Sequence, residues 1–149
     1  MIATYSQTKG NPIMEATGIN YLAVIVATAA YWIIGALWFS PALFFNQWLR
    51  AIGKTKEQVK ADFSPMNYIW ALIAAFLASY GIARVCDWGG AATIVDGALV
   101  GVLAAACFVL PYVLVTDVFE KRPRSLAMIN LFYHAVGLIV AGIIIGAWR

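Results

Sequence analysis

Charge is what this 149-residue chain has least of. Only 11% of its residues are Asp, Glu, Lys or Arg, against about a quarter in soluble domains. The few charges are unevenly placed: residues 16–49, 63–83, 97–116 and 125–148 contain none. Each of these intervals reaches the roughly 18–20 residues with which a helix crosses a bilayer core. A soluble globular fold does not fit that pattern. The same gaps weigh against a proton-coupled pump, whose proton carriers are usually intramembrane carboxylates. Cysteine is also scarce. Cys86 and Cys107 offer no disulfide framework, and Cys107, inside the third apolar segment, reads as a small buried apolar residue. There is one histidine, His134, and a lone imidazole makes no metal site without ligands of other types or a symmetry mate. The chain contains no CxxC, HExxH or P-loop, and no Ser, His and Asp at usable spacing. The expectation is a non-enzyme without metal or cofactor.

What is present is apolar: 63% hydrophobic residues and a mean hydropathy of +0.82. The net charge of +3 sits in short loops between apolar segments, where it reads as a topology signal and excludes a nucleic-acid surface. Residues 1–18 form a polar tail without the basic start of a cleavable signal. Its second methionine, Met14, is an expected alternative start of translation that would make residues 1–13 dispensable. Residues 19–149 then form one all-α, four-helix transmembrane domain, with spans at about 19–40, 65–85, 93–118 and 125–148. Pro41 closes the first span. Beyond it Phe44, Trp48 and Ile52 recur at helical spacing with Asn46 and Arg50 on the other side, so residues 42–53 read as an interfacial amphipathic helix; the alternative is a continuation of helix 1. Thr55 and Gln58 fit a capping box opening a short exposed helix over 56–62. Residues 86–90 read as a tight turn, Thr93 and Asp96 as a second cap, and Pro111 predicts a kink near Cys107.

Lys and Arg counts set the orientation. Arg50, Lys54, Lys56 and Lys60 lie in the first loop, and Lys121, Arg122 and Arg124 in the third; Lys9, Arg84 and Arg149 lie on the other side. The first and third loops are therefore expected in the cytoplasm, with both termini outside. Trp38, Trp48, Trp70, Trp88 and Trp148 fall near the span ends and read as interface anchors.

Small residues indicate where helices meet in lipid. Asn67, Ala71, Ala74, Ala78 and Gly81 form one stripe; Ala127, Asn130, His134, Gly137 and Ala141 form another. Gly35 is a packing position within the first span, and Gly97/Gly101 and Gly142/Gly146 are spaced four apart. These faces serve either packing within the chain or a second subunit. His134 is about 14 Å into the last span at the helical rise, with Asn130 one turn before it. Tyr31, Asn67 and Tyr112 are placed at similar depth. The cluster is either hydrogen-bonding glue between helices or a polar pocket. Asp96 reads as a cap or a partner for Arg84, and Asp117 as an ion pair with Lys121.

The string Gly35-Ala-Leu-Trp38-Phe39-Ser40-Pro41-Ala-Leu43-Phe44, followed by Trp48 and Gly53, resembles the signature of a bacterial membrane-protein family, domain of unknown function 1761. Thr116-Asp117-Val-Phe119-Glu120, Ile129-Asn130 with Tyr133-His134, and Gly142-x-x-x-Gly146-x-Trp148 fit it too. The resemblance runs from Asn20 to Trp148, with Phe39 where tyrosine is more often expected. It implies four helices and no known activity, and it singles out Trp38, Pro41, Asp117, Asn130 and His134. Two functions are consistent with the sequence. One is a non-catalytic membrane protein acting by helix association, as a homo-oligomer or an accessory subunit of a larger complex. The other is a small channel or carrier with a polar pocket around His134.

Overall fold

A computed structural model describes residues 18–148; the polar tail and the Met14 start lie outside the described residues. The helices are α1 (Tyr21–Trp38), α2 (Phe45–Ile52), α3 (Lys56–Ala61), α4 (Met66–Trp88), α5 (Ile94–Ala104), α6 (Leu110–Glu120) and α7 (Arg124–Ala147), and no strand occurs among the described residues. A π turn, Ala105–Val109, joins α5 to α6. Four helices, Tyr21–Trp38, Met66–Trp88, Ile94–Glu120 and Arg124–Ala147, are long and apolar enough to cross a membrane.

Local chemistry sets most boundaries. The Asn20 side chain accepts from the Ala23 N–H at 3.1 Å and opens α1. Its amide donates to the Trp148 carbonyl at 3.1 Å, tying the start of α1 to the end of α7. Turns ahead of α2 separate it from α1, so it is not a continuation of the first helix, and Gly53 ends it at φ 68° in the left-handed region that glycine tolerates. Complete capping boxes at Thr55/Gln58 and Thr93/Asp96 open α3 and α5. Arg84 does not reach Asp96: it pairs with Asp87 at 3.5 Å and lies 5.0 Å above the Trp88 ring.

Three expectations need correction. The turn expected at 86–90 is smaller, because α4 runs through Trp88 and the chain reverses at Gly89 and Gly90; Gly90 has φ +65°. The Ala91 N–H donates to the Cys86 carbonyl at 2.9 Å and closes the helix end. Second, the buried face of α4 is not the stripe through Ala71, Ala74 and Gly81. It carries Ala75, Ser79, Ile82, Ala83 and Cys86, and a Cβ at Gly81 would meet nothing within 4 Å. Third, Cys107 is exposed, because the third span turns Gly97, Gly101 and Ala105 inward and Cys107 lies off that face. Pro111 acts where expected, but as a π turn: the Leu110 N–H reaches back to the Ala105 carbonyl, accommodating a residue that offers no N–H of its own.

α7 is the hub, in contact with α1, α4, α5 and α6. Its approach to α5 is set by glycines on both helices. A Cβ on Gly97 would run into the Gly142 carbonyl and one on Gly142 into the Gly97 carbonyl. Gly146 faces the Thr93 carbonyl, and Gly101 faces the backbone of Leu138 and Ile139. Backbone-to-backbone contact of this kind is available only where neither helix carries a side chain. Both GxxxG pairs are therefore consumed by packing within one chain.

Candidate functional site

At the end of the bundle that carries the α6–α7 link, α6 and α7 part around a cavity of about 310 Å³. α7 supplies Ala127, Asn130, Tyr133 and His134; α6 supplies Tyr112, Val113, Thr116 and Asp117. Phe39, just past α1, and Arg122 in the link complete the wall. Tyr112 and Thr116, and likewise Val113 and Asp117, are four residues apart, so each pair lies one helical turn apart on the side of α6 that lines the cavity. The π turn holds one residue more per turn than an α-helix, so it resets the rotation of α6 relative to α5. α5 can thus present its glycines to α7 while α6 presents polar groups.

Behind the cavity, the Tyr31 hydroxyl and His134 Nδ1 form a hydrogen bond of 2.9 Å, its direction set by the imidazole tautomer. Tyr31 is buried, and it fits because Gly137, one turn past His134, leaves room for its ring. The Tyr133 ring lies 4.5 Å from the His134 ring, tilted by 48°, and meets Tyr31 edge-on at 5.7 Å. The imidazole is thereby held on one side by a hydrogen bond and on another by an aromatic face.

Asp117 is the unsettled group. Its Oδ1 is buried and has no hydrogen-bond partner among the described residues. The ion pair expected with Lys121 is not formed: Lys121 leaves the helix at φ 50°, which breaks the i, i+4 register the pair requires. Arg122 lines the cavity but is engaged elsewhere, since its guanidinium pairs with Glu120. Thr116 donates to the Tyr112 and Val113 carbonyls, both at 3.0 Å. The Asn130 side chain makes no hydrogen bond among the described residues. A buried carboxylate oxygen without a donor costs about 1–3 kcal/mol or more.

The structure brings together Tyr31, Tyr112, Asn130 and His134. Asn67 does not join them; it is exposed at the start of α4 and lines a separate groove. Trp38 makes a cross-helix contact, its indole N–H donating to the Ile129 carbonyl at 3.1 Å. Trp70, Trp88 and Trp148 are exposed, whereas Trp48 is half-buried. Gly35 abuts the Tyr133 hydroxyl, 3.0 Å from where its Cβ would stand. No group of three or more His, Cys, Asp or Glu suited to a metal occurs among the described residues.

A family model described as "Protein of unknown function (DUF1761)" matches residues 22–146. The chain belongs to that family. The matched region contains every residue of the cavity, so the site lies within the family domain. No curated protein and no solved structure matches the chain.

Proposed function

We propose that this member of the family is an integral membrane protein of non-catalytic type that binds a small solute in the α6–α7 cavity, as the loading site of a small carrier or channel. The observation that carries the reading is the partnerless Asp117 Oδ1 inside a cavity that also holds Asn130 and His134. A small cation or amine supplies what that oxygen lacks, and Tyr112, Tyr133 and Phe39 offer aromatic faces favourable to positive charge. The seven basic residues of the first and third loops support a cytoplasmic opening. The alternative, action through helix association, drew on the GxxxG faces, and those faces are filled by α5 and α7 of the same chain.

The test is thermal unfolding of the purified full chain in mild detergent, titrated with ammonium, methylammonium, potassium and glycerol. A saturable rise in Tm with one of the cations, absent with glycerol and lost in Asp117→Asn, is the expected result. No saturable rise with any of the cations, or one that Asp117→Asn leaves intact, overturns the reading.

A further inference from the structure

A second concavity, independent of the polar cavity, lies where α1 ends and α4 begins. It is a groove of about 600 Å³, lined by residues of α2 and α3 and by the start of α4. Its lining is zoned. One side is aromatic and aliphatic: Phe39, Phe45, Trp48 and Ile52, with the Trp48 ring edge-on to Phe39 at 5.9 Å and stacked with Phe45 at 6.0 Å. The rest of the lining, from the approach to α3 through the start of α4, carries Lys54, Lys56 and Lys60 together with Val59, Phe63 and Tyr68.

The lysines are not equivalent. Lys54 is bonded to Asp62 at 2.7 Å. Lys56 and Lys60 are exposed, one helical turn apart on α3, and neither forms an ion pair among the described residues. The groove therefore offers two ammonium groups outside any ion pair among the described residues, beside an apolar floor. The floor itself is fixed: Leu49 is buried, with α2 in contact with α7, and Gly53 turns the chain back so that α3 overhangs it.

We propose that this groove binds one anionic phospholipid from the surrounding bilayer, its phosphate between Lys56 and Lys60 and the upper part of an acyl chain along Phe39, Phe45, Trp48 and Ile52. Charge complementarity selects the headgroup, because among the described residues Asp62 is the only acid lining the groove and Lys54 already neutralises it. Location selects the source. The groove sits at the ends of two membrane-length helices, α1 and α4, at the depth where a phospholipid changes from headgroup to hydrocarbon. A soluble phosphate would use the lysines and leave the aromatic floor empty. A neutral lipid would use the floor and leave the lysines without a partner.

The experiment is native mass spectrometry of the intact chain released from detergent micelles, with phosphatidylglycerol, phosphatidylcholine or inorganic phosphate added at equal concentration. One phosphatidylglycerol per chain is expected, retained in preference to phosphatidylcholine. A lysine near an anionic headgroup is worth about fivefold in affinity, so Lys56→Gln/Lys60→Gln should lower the preference by about tenfold or more. Lys121→Gln/Arg124→Gln, which alters basic residues outside the groove, should leave it intact. Circular dichroism of each variant verifies folding, and both lysines are exposed surface positions whose loss removes no packing. Equal retention of the two lipids, retention of inorganic phosphate in place of lipid, or a preference unchanged by the double lysine variant overturns the proposal.

Discussion

The Tyr31 hydroxyl stands 2.9 Å from His134 Nδ1 and joins α1 to α7 at the back of the polar cavity. Tyr31 is only 3% exposed, so its hydroxyl has no solvent to turn to when the partner is lost. Hydrogen bonds between membrane helices average about 0.6 kcal/mol and reach about 2 kcal/mol. Tyr31→Phe is therefore expected to cost about 1 kcal/mol in reversible unfolding and to shift the His134 ring-nitrogen resonances. Unmoved nitrogen resonances would show that the bond does not form in solution. The mutation should leave the bundle assembled, because Tyr31 keeps its ring contacts with Tyr133.

The glycine contacts between α5 and α7 give a sharper contrast. A Cβ at Gly142 meets the Gly97 carbonyl, a backbone atom that cannot swing aside, whereas a Cβ at Gly81 meets nothing within 4 Å. Gly142→Ala should destabilise by about 1–3 kcal/mol, as overpacked cores do. Gly81→Ala should be neutral or stabilising by up to about 1 kcal/mol through the lower entropy cost of fixing alanine in a helix. Gly146→Leu should lower the stability of the monomer itself, because that face is closed by Thr93 and Gly97 of the same chain. Unfolding in detergent, with mass measured alongside, checks all three. If Gly146→Leu changed only the oligomeric mass and left monomer stability intact, the internal assignment would be wrong.

These glycines also show how far the sequence can be read. The four long apolar helices were legible because charge-free runs of about twenty residues match the length and composition of a helix that can cross a bilayer. The α5–α7 contact was half legible: GxxxG marks a close approach but not its partner. On α4 the reading failed because small residues occur on both sides of the helix. Ala71, Ala74 and Gly81 are as regular as Ala75, Ser79 and Ala83, and only the tertiary contacts with α1 and α7 decide between them. In the site, counting residues from the span ends placed Tyr31, Tyr112, Asn130 and His134 at a common depth. Asn67 was misplaced because depth says nothing about rotation around the helix. The free state of Asp117 was hidden by the left-handed backbone of Lys121, a conformation that no pattern in Asp117-Val-Phe-Glu-Lys121 announces.

Phe39 separates the polar cavity from the lysine-lined groove and lines both. Its ring meets Tyr133 at 5.4 Å on one side and Trp48 at 5.9 Å on the other. Phe39→Ala should merge the two spaces. Because Phe39 is half-buried, the cost should be about 2 kcal/mol, roughly half that of removing a fully buried phenylalanine. Water admitted beside Trp48 should move its emission to longer wavelength, a change assigned by repeating the measurement in a Trp48→Phe background. An emission spectrum that stays put would mean that Trp48 and Tyr133 close over the gap.

Asp117 sets stability against binding. Its buried Oδ1 lacks a donor, so the unliganded protein holds a polar atom removed from water without compensation. Asp117→Asn removes the charge while nearly preserving shape, and Asp117→Leu removes the polar group altogether. Both should raise the Tm of the unliganded protein, by an amount corresponding to about 1 kcal/mol for an atom buried in an otherwise half-exposed side chain. Both should also abolish the cation-dependent rise in Tm. Unfilled binding groups commonly weaken the fold that carries them, and that link makes the two measurements informative together. A packing role for Asp117 predicts the opposite sign: losing it would lower Tm with or without ligand. Comparing Asp117→Asn and Asp117→Leu with the parent, with and without methylammonium, therefore decides whether the carboxylate is there for the fold or for a solute.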